Sequence, residues 1–124
     1  MKLVFDSFIW LSFFKNESTS GKIKVLLEDK ANQIFSTSAN IYEVYYRLSE
    51  NRGKDDLLVA LSFIRDNSKI LPIDEFLAIL AAELRIKYHL SAIDAFTYAA
   101  AKMLNGKLVT GDKDFSKLDD VILI

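Results

Sequence analysis

The chain has 124 residues, 51% hydrophobic and 27% charged, and 16 Lys plus Arg against 17 Asp plus Glu leave a net charge of −1. That size and balance fit one folded domain spanning residues 1–124 and exclude a disordered or modular chain. With no cysteine and a single histidine, disulfides, thiol catalysis, thiolate zinc sites and His-based triads are excluded as well.

In chain order, residues 3–5 (Leu-Val-Phe) read as a short buried strand ending at Asp6. Ser7 is expected to cap an aromatic-rich helix over 8–14. The apolar run at 8–11 is too short to cross a membrane, and Asp6 interrupts a signal-peptide pattern, so a soluble cytoplasmic protein is expected. A second helix is predicted over 22–29 and a weak strand over 33–36. A helix over 38–50 carries Ile41, Val44, Tyr45 and Leu48 on one stripe. Gly53 stops it, and another amphipathic helix follows over 55–67. A strand at 69–71 ends at Pro72, and Asp74 caps a helix reaching about Tyr88. Ser91 starts a helix rich in small residues, and strands at 108–110 and 121–123 complete the pattern. Strands alternating with helices specify an α/β three-layer sandwich, with a mostly parallel sheet of four to five strands flanked by helices. Sites in such sheets form outside the carboxyl ends of strands, near the point where strand order reverses.

Four carboxylates stand in apolar frames at such places: Asp6 in LVFDSF, Glu43 in ANIYEVYYRL, Asp94 in SAIDAFTYAAA and Asp112 in LVTGDKDF. Each has an ordinary alternative. Asp6 and Asp112 are natural turn or cap acids, and Asp94 is a first-turn helix acid. Glu43 lies opposite the apolar stripe, as on a solvated face. Asp114 is expected to cap a short turn over 115–117, or to replace Asp112 as the fourth site acid. Gathered together, such acids repel unless a hard divalent ion neutralises them, and such an ion can activate water against a phosphodiester.

Taken in order along the chain, these motifs resemble PIN-domain (PilT N-terminal) ribonucleases, especially the compact VapC-type toxins of toxin–antitoxin pairs. The likeness runs from the opening strand and Asp-Ser, through the mid-chain Glu and Ser-x-x-Asp-Ala, to Thr-Gly-Asp-Lys-Asp-Phe. It implies a PIN-like fold and divalent-metal-dependent endoribonuclease activity with Mg²⁺ or Mn²⁺. Asp6, Glu43, Asp94 and Asp112 would be the acidic site, with Asp6, Asp94 and Asp112 as metal ligands. Ser7 and Thr110 would give polar support, with Asp114 a possible fifth contributor. It further implies an RNA substrate, a cognate antitoxin protein and a homodimer. A catalytically silent PIN-like interaction module and a DNA-cutting nuclease are the alternatives.

Candidates for a basic rim are Lys15, Arg47, Arg52, Lys54 and Lys113. Phe8, Trp10, Phe13 and Phe14 suit a core or dimer interface, with base stacking as the other use of such rings. Tyr45 belongs to the core stripe, while Tyr42 and Tyr46 are candidates for the edge of a groove. His89 is expected at a helix end. A receiver-like module needs paired acids after the first strand, and haloacid-dehalogenase chemistry needs Asp-x-Asp there; Ser7 and Phe8 oppose both.

Overall fold

Runs of consecutive apolar residues in a strand suit only a sheet covered on both faces. In the computed structural model, which describes residues 1–124, five strands make that sheet: β1 (Lys2–Phe5), β2 (Gln33–Thr37), β3 (Lys69–Leu71), β4 (Lys107–Thr110) and β5 (Val121–Leu123). All neighbouring strands pair in parallel, in the order β3-β2-β1-β4-β5. Six helices accompany them: α1 (Ser7–Phe14), α2 (Ser20–Glu28), α3 (Ser38–Ser49), α4 (Lys54–Asn67), α5 (Glu75–Tyr88) and α6 (Ala92–Met103). No helix is long and apolar enough to cross a membrane.

The period-two alternation of strand side chains divides the core in two. Leu3, Phe5, Ile34 and Val109 face one layer, packing with α1 to α4. Val4, Phe35 and Leu108 face the other, packing with α5 and α6. Ala99, Ala100 and Ala101 are fully buried, and their small side chains let α6 lie close to the sheet. The expected sandwich is therefore present, with five strands and no antiparallel member.

Element ends are set by local polar chemistry. The first helix starts one residue earlier than expected, and its cap is Asp6 rather than Ser7. Asp6 is extended (φ −74°, ψ 173°) at the strand end, and its Oδ1 accepts from the Ile9 N–H at 2.9 Å. Ser7 is already helical and buried. At α3, Thr37 and Asn40 form a reciprocal capping box. His89 ends α5 in the left-handed region (φ 58°), its N–H donating to Arg85 O.

Asn40 does more than cap. Its Oδ1 accepts from the Thr37 N–H and hydroxyl at 2.9 and 3.0 Å. Its Nδ2 donates to Ser7 Oγ at 3.0 Å and to Thr97 Oγ1 at 2.9 Å. One fully buried amide thus ties β2, α1, α3 and α6 together just below the carboxyl end of the sheet. A second buried chain runs from Trp10 Nε1 to Ser36 Oγ and on to Phe5 O, each link 2.8 Å. Truncating Asn40 leaves buried partners unsatisfied, at about 1–3 kcal/mol. Asn40→Ala is accordingly expected to melt several degrees below the wild type, and an unchanged melting temperature would show that the network contributes nothing to stability.

Candidate active site

Strand order reverses between β1 and β4: successive strands run outward from β1 on one side and from β4 on the other. The carboxyl ends of those two strands carry Asp6 and, past Gly111, Asp112. Above them opens a cleft of about 310 Å³ lined by Asp6, Ser7, Phe8, Glu43, Asp94, Gly111 and Asp112. All four predicted acids therefore meet at one place. Asp6 and Asp112 arrive from strand ends, Glu43 from α3 on one face of the sheet, and Asp94 from α6 on the other.

Their surroundings differ. Asp6 is buried, and its carboxyl pKa is pushed up to about 6, chiefly by desolvation. The Thr110 hydroxyl and the Ile9 N–H pull it back down, and the charges of Asp94 and Glu43 add to the rise. Asp94 is half-buried and also raised, first by desolvation and then, against the Ser91 hydroxyl, by Asp112, Glu43 and Asp114. Glu43 is half-buried rather than on a solvated face, because α3 turns that side toward the cleft. Asp112 is exposed, and its backbone N–H donates to Thr110 Oγ1 at 3.0 Å.

The supporting residues sort clearly. Ser7 lines the cleft, while Thr110 is buried beneath it between Asp6 and Asp112. Asp114 lies outside the lining, and it does not cap a turn over 115–117. Instead Asp112 caps a single 3₁₀ turn, Lys113–Phe115, its Oδ1 accepting from the Asp114 N–H at 2.9 Å. The reason is reach: the side chain of the residue preceding the turn meets the amide two residues on. None of Lys15, Arg47, Arg52, Lys54 and Lys113 lines the cleft. Arg52 is committed elsewhere, donating to Phe14 O at 2.8 Å. Trp10 is fully buried, and Phe13 and Phe14 pack with Phe63. Phe8 departs from that group and opens into the cleft. Tyr42 and Tyr46 are exposed and stack on each other 6.3 Å apart, and Tyr45 packs against the core.

The sequence reading missed the buried frame beneath the acids: Thr37, Asn40, Thr97 and the Ser36–Trp10 link. Thr37-x-x-Asn40 preceding an apolar stripe was the available signal, a capping-box variant. Nothing local pointed to Thr97.

As a donor set the cleft is all oxygen, which suits a hard divalent cation. No Lys, Arg or His forms an ion pair with any of the four acids. No three of them form a ready-made cage. Mg²⁺ needs none, since it commonly binds through one or two carboxylates and keeps its waters. An all-oxygen set of this kind would suit an ion that keeps part of its water shell.

The scan of family models matches the PIN domain over residues 3–121. No curated protein sequence is significantly similar to the chain. Among solved structures, a toxin–antitoxin complex from Klebsiella pneumoniae superposes with a TM-score of 0.79 at 24% identity, covering 97% of this chain and 95% of that one. Mycobacterium tuberculosis VapC20, described as a sarcin–ricin loop cleaving toxin, gives 0.78 at 17% identity, covering 96% of each chain. VapBC2 from Rickettsia felis, bound to a DNA fragment from its promoter, gives 0.77 at 20% identity, covering 100% and 98%. At these identities the likeness is one of fold.

A raised carboxyl pKa has a signed effect on stability. Between the ordinary value of 3.8 and about 6, folded Asp6 holds a proton that the unfolded chain has released, so stability falls as pH rises through that window. The full cost, present above it, is about 3 kcal/mol. Asp6→Asn keeps a good cap and is expected to melt above the wild type at pH 7 in EDTA, the two converging toward pH 4. Added Mn²⁺ is expected to raise the wild-type melting temperature at pH 7 and leave Asp6→Asn nearly unmoved. Parallel melting curves across the range would contradict this electrostatic account.

Proposed function

Because the chain belongs to the PIN domain family, we propose that it is a divalent-metal-dependent endoribonuclease hydrolysing RNA phosphodiester bonds. The observation that carries this reading is the meeting of Asp6, Glu43, Asp94 and Asp112 on one cleft with no basic side chain in its lining. We further propose that it is the VapC-like toxin of a toxin–antitoxin pair, acting as a cytoplasmic homodimer restrained by an antitoxin protein. The fold likeness to toxin–antitoxin complexes and to a sarcin–ricin loop cleaving toxin supports that part.

In this mechanism Asp6 and Asp94 would be the principal ligands for Mg²⁺ or Mn²⁺, with Asp112 a third, and Glu43 would complete the shell or orient water. The chemistry such an ion would supply is charge neutralisation at a phosphodiester and a lowered pKa for water. The Ile9 N–H fixes the orientation of the Asp6 carboxylate, and Thr110 lies against it from below. The Ser91 cap, with its hydroxyl 3.4 Å from the Asp94 N–H, sets the first turn of α6. Glu43 is half-buried on the cleft wall and Asp112 is exposed, its Oδ1 held by the Asp114 N–H; from these positions the two would complete the shell or orient a water. Ser7, held by Asn40, adds a neutral hydroxyl to the cleft wall.

The test is cleavage of a panel of single-stranded and structured RNAs in Mn²⁺, Mg²⁺ and EDTA. Wild type is expected to cut only with metal, and Asp94→Asn to lose about 10²–10⁴-fold with its melting temperature retained. Undiminished activity in Asp94→Asn would remove that residue from the site. Metal binding without cleavage of any RNA or DNA would instead favour a silent interaction module.

A further inference from the structure

Phe8 plays no part in the chemistry above, yet it belongs to the same cleft. It is the only hydrophobic side chain in the lining, and its surface is 52% exposed. Helix α1 turns Ile9, Trp10 and Leu11 inward and leaves Phe8, in the first turn after Asp6, at the cleft wall. The ring is seated there. A Cβ built on Gly111 would lie 2.8 Å from Phe8 Cε1 and 3.0 Å from Cδ1, so the ring rests against the backbone at the end of β4. Gly111 does not have a positive φ. What this position uses is therefore the missing side chain and not glycine's conformational freedom.

A nucleic acid held at this cleft faces carboxylates and no basic side chain, so the wall itself offers its phosphates no attraction. A nucleobase is uncharged, has a π face, and is tethered within one nucleotide of every phosphate. A phosphate brought to the acids therefore carries a base to the cleft wall, where the only hydrophobic side chain of the lining is the Phe8 ring. We propose that Phe8 is a stacking platform for the unpaired nucleobase adjoining the scissile phosphate. Stacking of this kind is tolerant of sequence and needs a base free of its duplex. It selects single strands and loops over paired regions. This assignment rests on the nuclease reading and adds a substrate contact to it.

The test pairs base removal with ring removal. At a mapped cleavage site in a single-stranded RNA, an abasic ribose beside the scissile bond is expected to cost wild type about tenfold or more in kcat/KM, mainly through KM. Phe8→Leu should lose a similar factor on intact RNA and nothing further on the abasic probe, while Phe8→Tyr keeps the wild-type pattern. Base removal that costs Phe8→Leu as much as wild type would overturn the proposal. In parallel, a single-stranded RNA carrying 2-aminopurine is titrated with Asp94→Asn and with Asp94→Asn/Phe8→Leu, where quenching is expected only when the ring is present. Quenching of this kind without cleavage by wild type would keep the base contact and remove the nuclease reading. Cleavage indifferent to Phe8 would do the reverse, and neither cleavage nor quenching would overturn both.

Discussion

A short parallel sheet must hide both faces, and one chain can do so only by winding its crossovers first to one side and then to the other. Here that requirement places the reversal between β1 and β4. Two strand ends diverge there and leave a crevice with no helix crossing it. Helices from opposite layers, α3 and α6, flank that crevice. Four acids from four separate elements converge because the topology has one open mouth and each element ends or begins beside it.

Two kinds of polarity meet at that mouth. Below lies a layer in which the Asn40 amide makes all four hydrogen bonds it can make. A satisfied network in a buried setting is rigid and fixes the spacing of the helices it joins. Above it, Asp6 and Asp94 are desolvated and face like charge with no protein cation to compensate. The frame is fully hydrogen-bonded, whereas Asp6 and Asp94 carry raised pKa values and no protein cation pairs with them. This division is what a binding site built on a stable scaffold needs, because the unfavourable charge is confined to the open side.

The alternation of strands and helices was legible because periodicity and capping are local signals. Three of the acids were legible because Asp6 and Asp112 follow strand ends and Asp94 lies in the first turn of a helix, whereas Glu43, inside α3, was legible only through the resemblance. Assignments failed where two neighbouring residues offered the same chemistry. Asp6 and Ser7 both cap well, and backbone geometry, with Asp6 still extended and Ser7 already helical, chose between them. Asp112 and Asp114 compete in the same way, and the 3₁₀ turn chose Asp112. Glu43 reads as solvent-facing because helical periodicity marks the core stripe and is blind to a crevice on its far side. The Asn40–Thr97 bond joins residues 57 apart in sequence, and no window along the chain carries that information.

Trp10 is the only tryptophan in the chain, fully buried and hydrogen-bonded through Ser36 to the carbonyl of Phe5, the residue before Asp6. Its indole therefore senses the same turn that orients the first acid. The protein carries its own optical reporter: the emission of one fluorophore follows whether α1 is docked on the sheet, with no label attached.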